Sequence, residues 1–146
     1  MIVGFDDKGN LPPGIHPTML SEIEQRFSYN KSRKALFQGI KRLAKDLKSA
    51  NCPALYIDGP FVTNIDEPED YTDCWETHGV DNTTSPVLRD LTEFQEQRKK
   101  KYRGDIHYLI PELSDYGYAD PLTFFQWDTI NDGPKGILAI DLREPL

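Results

Sequence analysis

The clearest periodicity in the chain is helical. Leu36, Ile40, Leu43 and Leu47 recur at spacings of four and three, with Lys34, Lys41, Lys45 and Lys48 mostly off that stripe. This predicts a helix capped by Ser32 that ends near Ala50 and Asn51, ahead of Cys52-Pro53. A shorter helix is predicted from Pro17 or Thr18 to Phe27, since Leu20, Ile23 and Phe27 share one stripe and proline suits a first turn. The period then changes to two. Leu55 and Ile57 alternate with Ala54, Tyr56 and Asp58, the pattern of a strand with one buried face. Gly59 follows where the chain must turn into a second, short strand and an acidic loop. A closing strand is predicted over Gly136 to Leu142, with Leu138, Ile140 and Leu142 on one face and Ile137, Ala139 and Asp141 on the other.

Between these anchors the pattern is weaker. His78 to Pro86 reads as a loop, and Pro86 to Tyr102 as a helix with Val87, Leu88, Leu91 and Phe94 as its stripe. Asp105 to Ile110 reads as a strand, Ser114 to Ala119 as a turn, and Asp120 to Trp127 as a short helix begun by Asp120-Pro121. Asn131-Asp132-Gly133-Pro134 is a strong turn signal. Met1 to Pro17, broken by Gly9-Asn10 and Leu11-Pro12-Pro13-Gly14, is expected to be an extended arm packed over the domain.

Composition narrows the classes. With 146 residues, 38% hydrophobic and 28% charged, the chain fits one globular domain, residues 1–146, with no internal repeat. A formal net charge of −7 argues against general DNA binding or attraction to an anionic membrane. The local exception is Arg98, Lys99, Lys100, Lys101 and Arg103, either a solvated helix end or a patch that meets triphosphate or tRNA backbone. The absence of a long apolar run and of a signal-peptide pattern leads to the expectation of a cytoplasmic protein with no membrane association. Cys52 and Cys74 are too few for a disulfide framework and read as reduced thiols.

Candidate chemistry gathers after the first strand. Strand, Gly turn, then Asp70 and Asp73 with Asp66, Glu67 and Glu69 before them is the order of a nucleotidyltransferase-type site. There, backbone N–H groups cradle a triphosphate and carboxylates hold divalent metals. Asp141 is costly inside an aliphatic strand unless something meets it: it either supplies a third metal carboxylate or pairs with Arg143 or Lys135. Cys74 with His78 lacks two further ligands for a structural zinc, and His16 and His107 stand alone.

The blocks LPPGIH (Leu11 to His16), YIDGPFVT (Tyr56 to Thr63), PEDYTDCW (Pro68 to Trp75) and PKGILAIDL (Pro134 to Leu142) resemble an uncharacterised bacterial family related to minimal nucleotidyltransferases. The resemblance covers nearly the whole chain, in order. It implies an α/β fold: a small mixed β-sheet of nucleotidyltransferase type flanked by helices, behind the N-terminal arm. It further implies Mg²⁺ or Mn²⁺ held by Asp70 and Asp141, with Asp73 as a substitute ligand, and nucleoside triphosphate (NTP) at Gly59, Pro60 and Lys135. Transfer of a nucleotide to a protein or tRNA acceptor, and a cognate toxin or antitoxin or a phage-defence setting, are the associated expectations. Two departures touch the chemistry. Pro60 stands where the family has Ser and offers neither hydroxyl nor N–H. Thr72 stands where the second metal aspartate is expected and carries no charge. Both favour weak or lost transfer, with a nucleotide-sensing or protein-binding module as the alternative.

Overall fold

A computed structural model of the chain describes residues 4–76, 95–109 and 125–146. The fold is mixed α/β. In chain order it contains β1 (Gly14–Thr18), α1 (Leu20–Phe27), α2 (Lys31–Ser49), β2 (Ala54–Asp58), a 3₁₀ turn (Pro60–Val62), β3 (Thr72–Glu76), α3 (Gln95–Tyr102), β4 (Asp105–Leu109), β5 (Trp127–Asp128), β6 (Gly133–Pro134) and β7 (Gly136–Asp141). Among the described residues, five strands form one sheet in the order β1-β7-β2-β3-β4, and β5 and β6 form a separate small ladder. The β1/β7 and β3/β4 pairs are parallel, whereas β2 runs antiparallel to both β7 and β3.

Strand alternation sorts the sheet into two faces. Leu55, Ile57, Trp75, Leu138 and Ile140 join Leu20, Ile23, Phe27, Leu36, Phe37, Ile40, Leu43 and Leu47 in one buried cluster, so α1 and α2 cover this face. Tyr56, Cys74, Ile137 and Phe125 form a smaller cluster on the opposite face. The stripe on α2 is therefore buried as its periodicity predicts, and the central and closing strands form where alternation predicts them.

Several local expectations change. The residue capping α2 is Asn30, whose side chain accepts from the Arg33 N–H at 2.9 Å, and not Ser32. The stretch after Gly59 is a 3₁₀ turn where a short strand was expected. Trp127, expected at a helix end, lies in β5 paired with Pro134. The predicted arm is shorter than residues 1–17, because Gly14–Thr18 pairs with β7 in register as an edge strand. Leu11, just before it, is fully buried in the main core. Of the predicted helix 86–102, Gln95–Tyr102 is helical. Its earlier part, the loop at 78–86, the turn at 114–119 and residues 120–124 lie outside the described residues.

α3 reaches the domain through α2. A Cβ placed on Gly39 would lie 2.0 Å from the Tyr102 carbonyl oxygen, so only glycine allows the two backbones this approach. Tyr102 donates its hydroxyl to Asp46 at 2.5 Å and accepts at its carbonyl from the Tyr71 hydroxyl at 2.5 Å. Lys101 pairs with Asp46 at 2.9 Å. The start of β3, the end of α3 and the middle of α2 are thereby tied together. Cys52 and Cys74 are free and buried, and burial pushes the Cys52 thiol up to about 11. No helix among the described residues is long and apolar enough to cross a membrane.

Candidate functional site: a polar cleft at the carboxyl end of β2

The cleft is built at the point where β2 stops. Asp58 is the last residue of β2 and Gly59 turns the chain with φ 85° and ψ −169°. Pro60 then opens the 3₁₀ turn with the fixed φ that position requires. Across from them comes Lys135, in the short link between β6 and β7. Its ammonium meets the Asp58 carboxylate at 2.8 Å, with the two side chains 19% and 7% exposed. Lys8, Asn10, Trp127, Asp128 and Asn131 complete a cleft of about 290 Å³ that also includes Gly59 and Pro60.

The N-terminal segment closes one side because its own turn is pinned. The Asp6 carboxylate accepts from the N–H groups of Lys8 and Asn10 at 2.9 and 3.0 Å. The Gly9 carbonyl accepts from the Asn64 N–H at 2.9 Å. Asn10 then donates its side-chain amide to Asp128 at 2.8 Å, and Asn131 does the same at 2.7 Å. These amides, with the Ile130 and Asn131 backbone N–H groups, hold the Asp128 carboxyl well below the usual carboxylate range; the Asn131 contacts contribute most. Asp58 moves the other way. Burial raises its carboxyl above the ordinary value, and the opposing pull of Lys135 and of the Gly59 N–H does not cancel it.

A carboxyl whose folded value exceeds the unfolded one binds its proton more tightly in the folded state. Its stabilising contribution is complete below the unfolded value of about 4 and is lost as pH rises through the folded value. The stability of the natural protein relative to Asp58→Asn should therefore increase as pH is lowered from 7 towards 4. Paired thermal unfolding curves test this. A difference that shrinks in acid would mean that Lys135 pairing outweighs burial.

The residues proposed from sequence divide among four places. Gly59, Pro60 and Lys135 share the cleft. Asp70 lines a separate hollow with Leu36, Glu69, Lys99, Lys100, Arg103 and Gly104. Asp141 pairs with Ala54 at the far end of β2, and its carboxylate binds the Arg143 guanidinium at 3.0 Å, which holds it below the usual range. Since Asp58 faces Thr72 and Ala54 faces Asp141, the length of β2, about 13 Å, separates the two ends. Asp70 and Asp141 are not brought together. Asp73 is fully buried and, by alternation, on the helix-covered face with Trp75. The β2/β3 register runs unbroken from Asp58↔Thr72 to Leu55↔Trp75, with no bulge to turn Asp73 towards Thr72. Asp70, Asp73 and Asp141 thus do not fit one Mg²⁺ or Mn²⁺ site. Among the described residues no group of three or more His, Cys, Asp or Glu side chains is placed to hold a metal ion.

Of the lone histidines, His16 donates its Nε2–H to the Pro12 carbonyl at 2.6 Å. Sequence reasoning missed Asp58, Asp128 and Lys8. Asp58 carried a signal, a carboxylate ending an apolar strand directly before a glycine; Asp128 and Lys8 carried none, because only folding brings residues 8, 58 and 128 together. No curated protein and no solved structure matches the chain. A family model does match residues 3–141, and the chain belongs to that family, DUF6932, a family of unknown function.

Proposed function

We propose that this chain is a nucleotidyltransferase-like domain that binds a nucleoside triphosphate in the cleft beside the Asp58–Lys135 pair and transfers its nucleotidyl group, with release of pyrophosphate, weakly or not at all, acting as a nucleotide-sensing module. The observation that carries this reading is the distribution of the expected residues. Gly59, Pro60 and Lys135 converge on one cleft, while Asp70 and Asp141 stand at separate ends of the sheet. Trp127, 46% exposed at the cleft, offers a flat face on which a base can stack. Lys8 supplies positive charge for phosphates, and Lys135 shares its own with Asp58. The turn itself has little to give a triphosphate: the Gly59 N–H is engaged by the Asp58 carboxylate, and Pro60 has no N–H. Metal-dependent transfer to a protein or tRNA acceptor, in a toxin–antitoxin or phage-defence setting, is the active counterpart of the same proposal and rests on the resemblance.

Isothermal titration of ATP, GTP, CTP and UTP, each with and without Mg²⁺ or Mn²⁺, tests the reading. At least one nucleotide should bind, and Lys135→Ala and Trp127→Ala should each weaken it by about tenfold, the equivalent of one lost charge contact or one stacking contact. Asp141→Asn should leave binding unchanged. Failure of all four nucleotides to bind would overturn the proposal. Labelled transfer to an acceptor, abolished by Asp70→Asn, would replace the sensing form with the active one.

A further inference from the structure

We infer that anion binding in the cleft is coupled to the uptake of a proton by Asp58, so that the site holds a phosphate-type anion more tightly in acid. This rests on the reading of the cleft as the phosphate-binding site and adds a regulation of that same site. Asp58 ends β2 with 5% of its surface exposed, and the Lys135 ammonium stands 2.8 Å from its carboxylate. Lys135 also lines the cleft. One ammonium thus serves both a buried carboxylate and whatever anion enters.

The other groups that face Asp58 do not replace that cation. The Gly59 N–H bonds its carboxylate, Asp128 of β5 adds negative charge, and the buried Cys74 thiol of β3 is pushed up by burial and stays protonated. Thr72, opposite Asp58 in the ladder, and residues 60–62 of the 3₁₀ turn carry no charge. Burial raises the Asp58 carboxyl above its ordinary value even with Lys135 in place. A dianion that takes up hydrogen bonds of the Lys135 ammonium loosens its hold on Asp58 and brings more negative charge near it. A carboxylate out of water beside two anions is costly in its charged form, and taking a proton from solvent onto a carboxyl oxygen removes that cost.

Inorganic sulfate is the probe, because it stays a dianion across the mildly acidic to neutral range and brings no titration of its own. It is titrated into the full chain at constant ionic strength and a series of pH values, followed by tryptophan fluorescence, to which Trp127 at the cleft contributes. Affinity should rise towards acid by up to about tenfold per pH unit, the slope of one proton taken up. Asp58→Asn should remove the slope and hold at every pH the affinity that the natural protein reaches only in acid. On the natural protein alone, calorimetry in two buffers of unlike ionisation enthalpy should register proton uptake where the slope is steepest. No sulfate binding, no uptake, or a slope that Asp58→Asn leaves in place overturns the inference. Coupled sulfate binding in a protein that binds none of the four nucleotides would support the coupling and overturn the nucleotide reading alone. A nucleotide that binds with the same pH dependence in the natural protein and in Asp58→Asn overturns the coupling alone.

Discussion

Arg33→Ala is expected to destabilise the fold by about 3–5 kcal/mol, lowering the melting temperature by roughly 10 °C or more for a chain of this length. Arg33 is fully buried one turn into α2, although it is a charged residue in a helix otherwise read from its leucines. Its guanidinium donates to the carbonyls of Phe61 and Thr63 at 2.7 Å each, of Phe27 and Asp66 at 3.3 Å each, and of Ile65. Those carbonyls belong to the α1–α2 junction and to residues 61–66, a segment with little ladder bonding of its own. The planar fork thus stands in for secondary structure, closing five acceptors that would otherwise be desolvated. Alanine leaves all five to whatever water can enter. Lysine keeps the charge but concentrates its donors at one point, so Arg33→Lys should recover only part of the loss. Thermal unfolding of the three proteins decides the matter. A drop below about 3 °C for Arg33→Ala would show that the segment holds itself without the arginine.

Gly59→Ala should cost about 3 kcal/mol and open the cleft. The backbone at Gly59, φ 85° and ψ −169°, lies in a region that essentially only glycine occupies, worth about 1–3 kcal/mol of strain to any other residue. An added Cβ would also sit 2.7 Å from the Thr72 backbone N and 2.9 Å from its hydroxyl, and relieving that contact by shifting β3 costs about 1–3 kcal/mol more. The strained turn sets where Asp58 and Pro60 point, so nucleotide binding should weaken together with stability. The check is calorimetric unfolding beside the titration described above. Retention of both within about 1 kcal/mol would mean that the β2–β3 end yields easily and that the turn does not set the cleft.

The two cysteines and His16 behave as the sequence leads one to expect. Both thiols are free and buried, and His16 is occupied by a backbone carbonyl. Charged residues are where sequence reasoning fell short. Asp141 carried two open readings, and the fold chose the pairing with Arg143. Asp73 looked adjacent to a vacant ligand position, yet one step along a regular strand is a change of face. Asp70 kept company with the basic end of α3, a neighbour some thirty residues away in sequence that no local pattern announces.

What the sequence determined by itself is the part governed by neighbours along the chain. The four-three spacing of Leu36, Ile40, Leu43 and Leu47 dictates a buried helical stripe, and the alternation at 54–58 and 136–141 dictates strands, because side-chain direction follows backbone period. The demand for glycine at position 59 was equally legible. Only the tertiary structure decided which strand lies beside which. The antiparallel register of β2 with both β3 and β7 put Ala54 opposite Asp141 and Asp58 opposite Thr72, and so sent the expected carboxylates to separate ends of the sheet. The same packing brought Lys8, Asp128 and Lys135 to one cleft and set the buried Asp58 against Lys135. Such placements depend on long-range pairings whose loop-closure cost is repaid only when the whole core forms, so they leave no mark on any short stretch of the chain.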